Sequence, residues 1–152
     1  MVLEHPEMFI DLLNLALEDR SKISSRAMRV VCETSLKNPE LIRPWLPAII
    51  ENLQNVKTGG VKMNMLKIFT FQPYPLEEED QGKLVDLCFT YISSGHEKPA
   101  VKAYSLEILF QASQKEPGLI PELIARINSK LPEESCSFTS RGRKIIHCLL
   151  FK

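Results

Sequence analysis

No apolar run in this chain of 152 residues approaches the roughly 18 needed to span a bilayer. That excludes a membrane-spanning helix, and no membrane partner is expected. Charge of one sign is also missing. Nineteen Lys and Arg residues offset nineteen Asp and Glu, so the overall basic field of a strong nucleic-acid binder is absent and only local patches could serve that role. The opening Met1-Val2-Leu3-Glu4-His5-Pro6 lacks the basic stretch before an apolar segment that marks a secretory signal. The four cysteines, Cys32, Cys88, Cys136 and Cys148, form no C-x-x-C pair. Cys32, Cys88 and Cys148 fall in apolar helical patterns, which fits small buried thiols in a reduced, cytoplasmic protein. Of the three histidines, His5, His96 and His147, no two stand at i, i+4. His147 and Cys148 are helix neighbours that point about 100° apart, so they do not converge on one ion. Neither a metal nor a cofactor is expected.

Catalytic signatures are missing too. There is no G-x-S-x-G elbow and no G-x-x-x-x-G-K-S/T loop. Gly59-Gly60-Val61-Lys62 lacks phosphate-loop spacing and follows a helix, so it reads as a helix junction. The acidic run Glu77-Glu78-Glu79-Asp80 suits a first helical turn, where negative charge meets the positive end of the dipole. These absences point away from an enzyme.

What is present is a repeat. Ile23-Ser24-Ser25-Arg26-Ala27-Met28-Arg29-Val30-Val31 recurs in pattern as Val61-Lys62-Met63-Asn64-Met65-Leu66-Lys67-Ile68-Phe69 and as Val101-Lys102-Ala103-Tyr104-Ser105-Leu106-Glu107-Ile108-Leu109. A weaker copy begins at Arg141-Gly142-Arg143-Lys144-Ile145. From Ala27 the steps are 38, 40 and 40 residues. Such a period marks stacked helix pairs. Prolines give a second ruler, because Pro6, Pro39 and Pro117 stand where a helix start tolerates the missing N–H.

Apolar residues recur at helical spacing throughout, and no segment alternates as a strand does. The pattern predicts eight helices, near 6–19, 22–37, 39–54, 59–71, 77–93, 98–115, 117–131 and 139–151. Pro44 and Pro47 fall inside the third, so its first turn is expected to be 3₁₀ or partly separate. Pro73-Tyr74-Pro75 is expected to be extended, and Pro132 to Thr139 to form a polar loop. Trp45, the sole tryptophan, aligns with Leu123 and reads as core. The first helix, with Phe9, Ile10, Leu12, Leu13, Leu15 and Leu17, is apolar around more than one face. It is expected to pack against an N-terminal extension, a partner or a second copy, making a homo-oligomer.

The pattern apolar-Lys/Arg-x-x-small-x-x-x-apolar on the second helix of each pair resembles the HEAT repeat, best in Val101-Lys102-x-x-Ser105-x-x-x-Leu109. The resemblance implies an all-α, armadillo-type αα-superhelix of about four helix pairs, as a single domain over residues 1–152. The segment from Ala100 to Ser105, with Arg141-Gly142-Arg143-Lys144, also resembles a family of small bacterial HEAT-like proteins. Some of these carry an adenylosuccinate lyase label. Nothing in this sequence matches the mobile, serine-containing, glycine-rich loop of those lyases, and 152 residues are too few for their long bundles. Family members carry another helix before the point where this chain begins, which implies a shortened N-terminus.

In the HEAT architecture the second helices line a concave face. Lys62 and Lys102 hold the same repeat position, and Arg141, Arg143 and Lys144 extend the row into a candidate binding ladder. The alternative role for these cations is to tie neighbouring repeats together through acidic or carbonyl partners. Arg141, Arg143 and Lys144 also fall at an expected helix start, where positive charge is disfavoured, so Glu133 or Glu134 or a bound anion is expected to compensate. Two functions follow. The first is a non-enzymatic scaffold that binds a protein or peptide through the concave face. The second is nucleic-acid binding through the basic ladder, similar in shape to the HEAT-like DNA glycosylases.

Overall fold

The computed structural model describes the backbone of residues 6–71, 75–131 and 136–151. His5, Pro73-Tyr74, Glu133, Glu134 and the question of a shortened N-terminus lie outside the described residues. All regular structure among the described residues is helical. The α-helices are α1 (Pro6–Leu17), α2 (Ser21–Lys37), α3 (Pro39–Ile42), α4 (Leu46–Leu53), α5 (Gly59–Thr70), α6 (Glu78–Ser93), α7 (Pro99–Lys115), α8 (Ile120–Lys130) and α9 (Cys136–Leu150). Two 3₁₀ turns, Arg43–Trp45 and Pro117–Leu119, lead into α4 and α8. The broken third helix is the one expected from Pro44 and Pro47. Each proline removes a backbone donor, and each falls where a first turn leaves that donor unused. Trp45, in the 3₁₀ turn, is half-buried instead of core.

The chain divides into two compact units, up to Gln81 and from Gly82, with the division inside the first turn of α6. In the first unit α2 packs against both α1 and α5. A helix with two neighbours must bury two faces. Accordingly α2 buries Ala27, Met28, Val31 and Cys32 together with the small polar Ser24, Thr34 and Ser35. Both serine hydroxyls are satisfied: Ser24 Oγ donates to the Leu15 carbonyl at 2.8 Å and Ser35 Oγ to the Val31 carbonyl at 2.7 Å. A buried hydroxyl without such a partner would cost on the order of 1–3 kcal/mol. α5 approaches α2 closely at one point: a Cβ on Gly60 would lie 2.5 Å from Ser25 Oγ and 2.9 Å from Ser25 Cβ. α4 buries Leu46, Ile49, Ile50 and Leu53, which recur at helical spacing.

On α1, Phe9, Leu13 and Ala16 are buried at i, i+4, i+7, while Met8 and Ile10 remain about two-fifths exposed at 41% and 39%. The turn after α1 carries Asp19 at φ 55°. Its carboxylate accepts the backbone N–H groups of Lys57 at 2.7 Å and Thr58 at 3.0 Å, thirty-eight and thirty-nine residues away. The loop between α1 and α2 is thereby tied to the loop between α4 and α5.

In the second unit α7 packs against α8 and α9, and α8 against α9. Arg126 on α8 links to α6: it donates to Ser93 Oγ at 2.8 Å and lies over the Phe89 ring at 5.3 Å, with Glu122 pairing its other nitrogen at 2.9 Å. α9 buries Phe138 and Ile145, with Gly142 buried between them. A Cβ on Gly142 would lie 2.8 Å from Ile127 Cγ2 and 3.5 Å from Leu131 Cδ2. These contacts fix the register of the last copy. Ile145 takes the small position of Ser105, Gly142 the position of Lys102, and Arg141 the apolar position of Val101.

Candidate functional site

In the second unit a cleft of about 500 Å³ opens between α7 and α9. Glu107 and Phe110 come from α7; Ser140, Arg141, Lys144, Ile145 and Cys148 come from α9. Burial of Phe138, Gly142 and Ile145 sets the rotation of α9. At about 100° per residue, Arg141, Lys144 and Cys148 then fall on one flank of the buried stripe and Arg143 on the other. Arg141 Nη1 meets Glu107 Oε2 at 3.4 Å, with both side chains partly exposed. The cleft thus has an apolar floor (Phe110 and Ile145), a basic rim (Arg141 and Lys144) and one carboxylate on its α7 wall. α9 itself contains no Asp or Glu.

The residues of the expected ladder separate into three settings. Lys102 is only 3% exposed, because α7 is covered on the face that carries Val101, Lys102 and Ser105. Lys62, in the first turns of α5, is half-buried. Arg141 and Lys144 line the cleft, and Arg143 is exposed outside it. The expected clash of the basic cluster with a helix start does not arise. α9 begins at Cys136, three residues before the expected start, so Arg141 stands beyond the first turn, where the dipole penalty has faded. Its acidic partner is Glu107, from another helix.

Sequence reasoning missed Glu107, Phe110, Arg126 and Asp19, which act through contacts far along the chain. Asp19 had one local signal, an acidic residue in the gap between two helical stripes. Burial alone would raise its carboxyl, but the Thr58 side chain and the N–H groups of Lys57 and Thr58 outweigh that and hold it below the usual value. The cysteines also divide. Cys32 and Cys88 are buried, and Cys148, expected to be buried, is exposed in the cleft. The apolar residues around it include Leu150 and Phe151, which are themselves exposed, so the apolar pattern at this end of α9 is not a core stripe. Burial pushes the Cys32 thiol up to about 11 and the Cys88 thiol up to about 12, the latter despite a hydrogen bond with Ser105.

Among the described residues no group of three or more His, Cys, Asp or Glu is placed to hold a metal ion. No helix there is long and apolar enough to cross a membrane. Glu78, Glu79 and Asp80 occupy the first turn of α6, their expected place.

Helix pairs recurring at this period, with α2 packed against α5 in the first unit and α7 against α9 in the second, define a helical repeat protein. A family profile described as a HEAT repeat domain matches residues 1–148, and the chain belongs to that family. No curated protein and no solved structure matches it.

Proposed function

We propose that this protein is a non-enzymatic, cytoplasmic scaffold that binds a partner protein where α7 and α9 lie side by side. The observation that carries the reading is the cleft between α7 and α9, the second helices of successive repeats. There an apolar floor lies beside exposed cations, the mixture of buried anchor and polar rim that protein interfaces use. HEAT-type repeats commonly serve such a role. Met8 and Ile10, exposed on α1, support a second contact surface through which two copies associate.

The test is chemical cross-linking and affinity capture from native lysate at low and high salt. It compares the wild type with an Arg141→Glu/Arg143→Glu/Lys144→Glu variant. A protein partner retained at high salt and lost with the variant is the expected result. Recovery of nucleic acid at low salt alone would replace the scaffold with phosphate binding, because counterion release makes that binding fall steeply with salt. Lys102 is unsuitable for this test because its burial makes any substitution a test of folding.

A further inference from the structure

We propose that the α7–α9 cleft receives an acidic peptide segment bearing an apolar side chain, and that Glu107 holds the place of the partner's carboxylate in the free protein. This rests on the scaffold reading and names the chemistry of its partner.

Three observations carry it. First, the Arg141–Glu107 pair is long at 3.4 Å, and its side chains are 43% and 34% exposed. A tight charge-assisted bond is nearer 2.7–2.9 Å, and a pair so exposed to water is weakly held. It is an exchangeable contact, already in the geometry of guanidinium against carboxylate. Second, Lys144 lies one turn beyond Arg141 on the same flank, and α9 supplies no acidic residue of its own. Among the described residues the rim therefore presents two cations against one carboxylate and favours a ligand with negative charge. Third, Phe110 and Ile145 provide an apolar floor, and a volume of about 500 Å³ lies within the roughly 300–1,000 Å³ typical of ligand sites. A segment with an aliphatic or aromatic side chain flanked by Asp or Glu matches all three.

A nucleic-acid backbone matches less well. It would bring several phosphates past the Glu107 carboxylate, and the chain has no net positive charge to offset the repulsion.

The experiment selects a random dodecapeptide display library on the full chain, with parallel selection on an Arg141→Gln/Lys144→Gln variant whose folding is verified by thermal melting. Enriched peptides are then synthesised and their affinities measured. Peptides pairing Asp or Glu with a large apolar residue, binding the double variant at least tenfold more weakly, are expected. Glu107→Gln should act in the opposite direction and tighten binding by about two- to fivefold, since it releases Arg141 from its internal partner. A merely structural role for these residues would not produce opposite signs. Bound peptide should also slow maleimide labelling of Cys148, measured in a Cys136→Ser background.

Peptides that bind wild type and double variant equally would overturn the cleft assignment and leave the scaffold reading standing. Enriched peptides that are neutral or basic, or no enrichment at all, would also overturn it, with the capture experiment above deciding the scaffold reading separately. A twelve-nucleotide single strand that binds through Arg141 and Lys144 more tightly than every selected peptide would overturn it in favour of phosphate recognition.

Discussion

Asp19 and Thr58 hold each other through backbone and side chain alike. The Asp19 carboxylate accepts the Thr58 backbone N–H at 3.0 Å, and the Thr58 hydroxyl reaches the Asp19 carbonyl at 3.4 Å. One inter-helix loop thereby braces the next, with Asp19 in left-handed backbone at φ 55°. Asp19→Ala removes the acceptors and places alanine where its Cβ is strained. We expect a loss of about 2–3 kcal/mol in urea unfolding. Asp19→Asn tolerates the backbone and keeps one acceptor, and should lose about 1 kcal/mol.

The same pair gives a pH dependence. The folded carboxyl lies below its unfolded value, which is about 3.9. The contribution of the ionised form is therefore complete above the unfolded pKa and is lost as pH falls through the folded pKa. Urea midpoints of wild type and Asp19→Asn, compared from pH 7 to pH 3, should converge in acid. A gap that stays constant would rule out the carboxylate as its source.

Gly60→Ala opposes two effects. Alanine gains up to about 1 kcal/mol of helix propensity over glycine. The new Cβ would sit 2.9 Å from Ser25 Cβ, atoms near two backbones that side-chain rotation cannot clear. Overpacking of this kind costs about 1–3 kcal/mol, so net destabilisation is expected. Pairing it with Ser25→Gly should restore part of the loss, and calorimetry of the single and double variants measures the coupling.

Lys102 and Arg143 were read from sequence as members of one basic row, yet their substitutions should behave differently. Lys102 is buried, and Lys102→Glu replaces a covered positive charge with a negative one. A loss of about 3–5 kcal/mol is expected. Arg143 is exposed, and Arg143→Glu should stay within about 0.5 kcal/mol of wild type. Guanidinium unfolding curves of the two variants decide it.

Thiol chemistry should follow burial. In a Cys136→Ser background at pH 8, Ellman's reagent should titrate Cys148 rapidly. Cys32 and Cys88 should react only on unfolding, since both are enclosed and their thiols lie near 11 and 12. Rapid reaction of more than one thiol per native chain would contradict the burial described.

The helices were legible because their signals are local. Pro6, Pro39 and Pro117 mark helix or 3₁₀ starts, and stripes such as Leu46, Ile49, Ile50 and Leu53 reach the core. The site was legible only in part. Arg141 and Lys144 stood out as charges, but the residues facing them on α7, Glu107 and Phe110, look like ordinary members of an amphipathic helix. Arg126 and Asp19 are similar cases, each with a partner thirty-three residues or more away. Position in the repeat did not fix exposure either. Lys102 is covered by its neighbours, whereas Arg141, at the apolar position of its own copy, faces solvent and Glu107.

Gly142 sets the angle at which α9 is read. With Ile127 Cγ2 occupying the space a side chain would need, α9 can lie close to α8 in one rotational setting, as a key enters a lock only when its notch faces the pin. That setting aims Arg141, Lys144 and Cys148 toward α7 and turns Arg143 away. The chemistry of the cleft therefore depends on an atom that is missing. A methyl group at this position would touch none of the cleft's polar groups and would still swing all of them together.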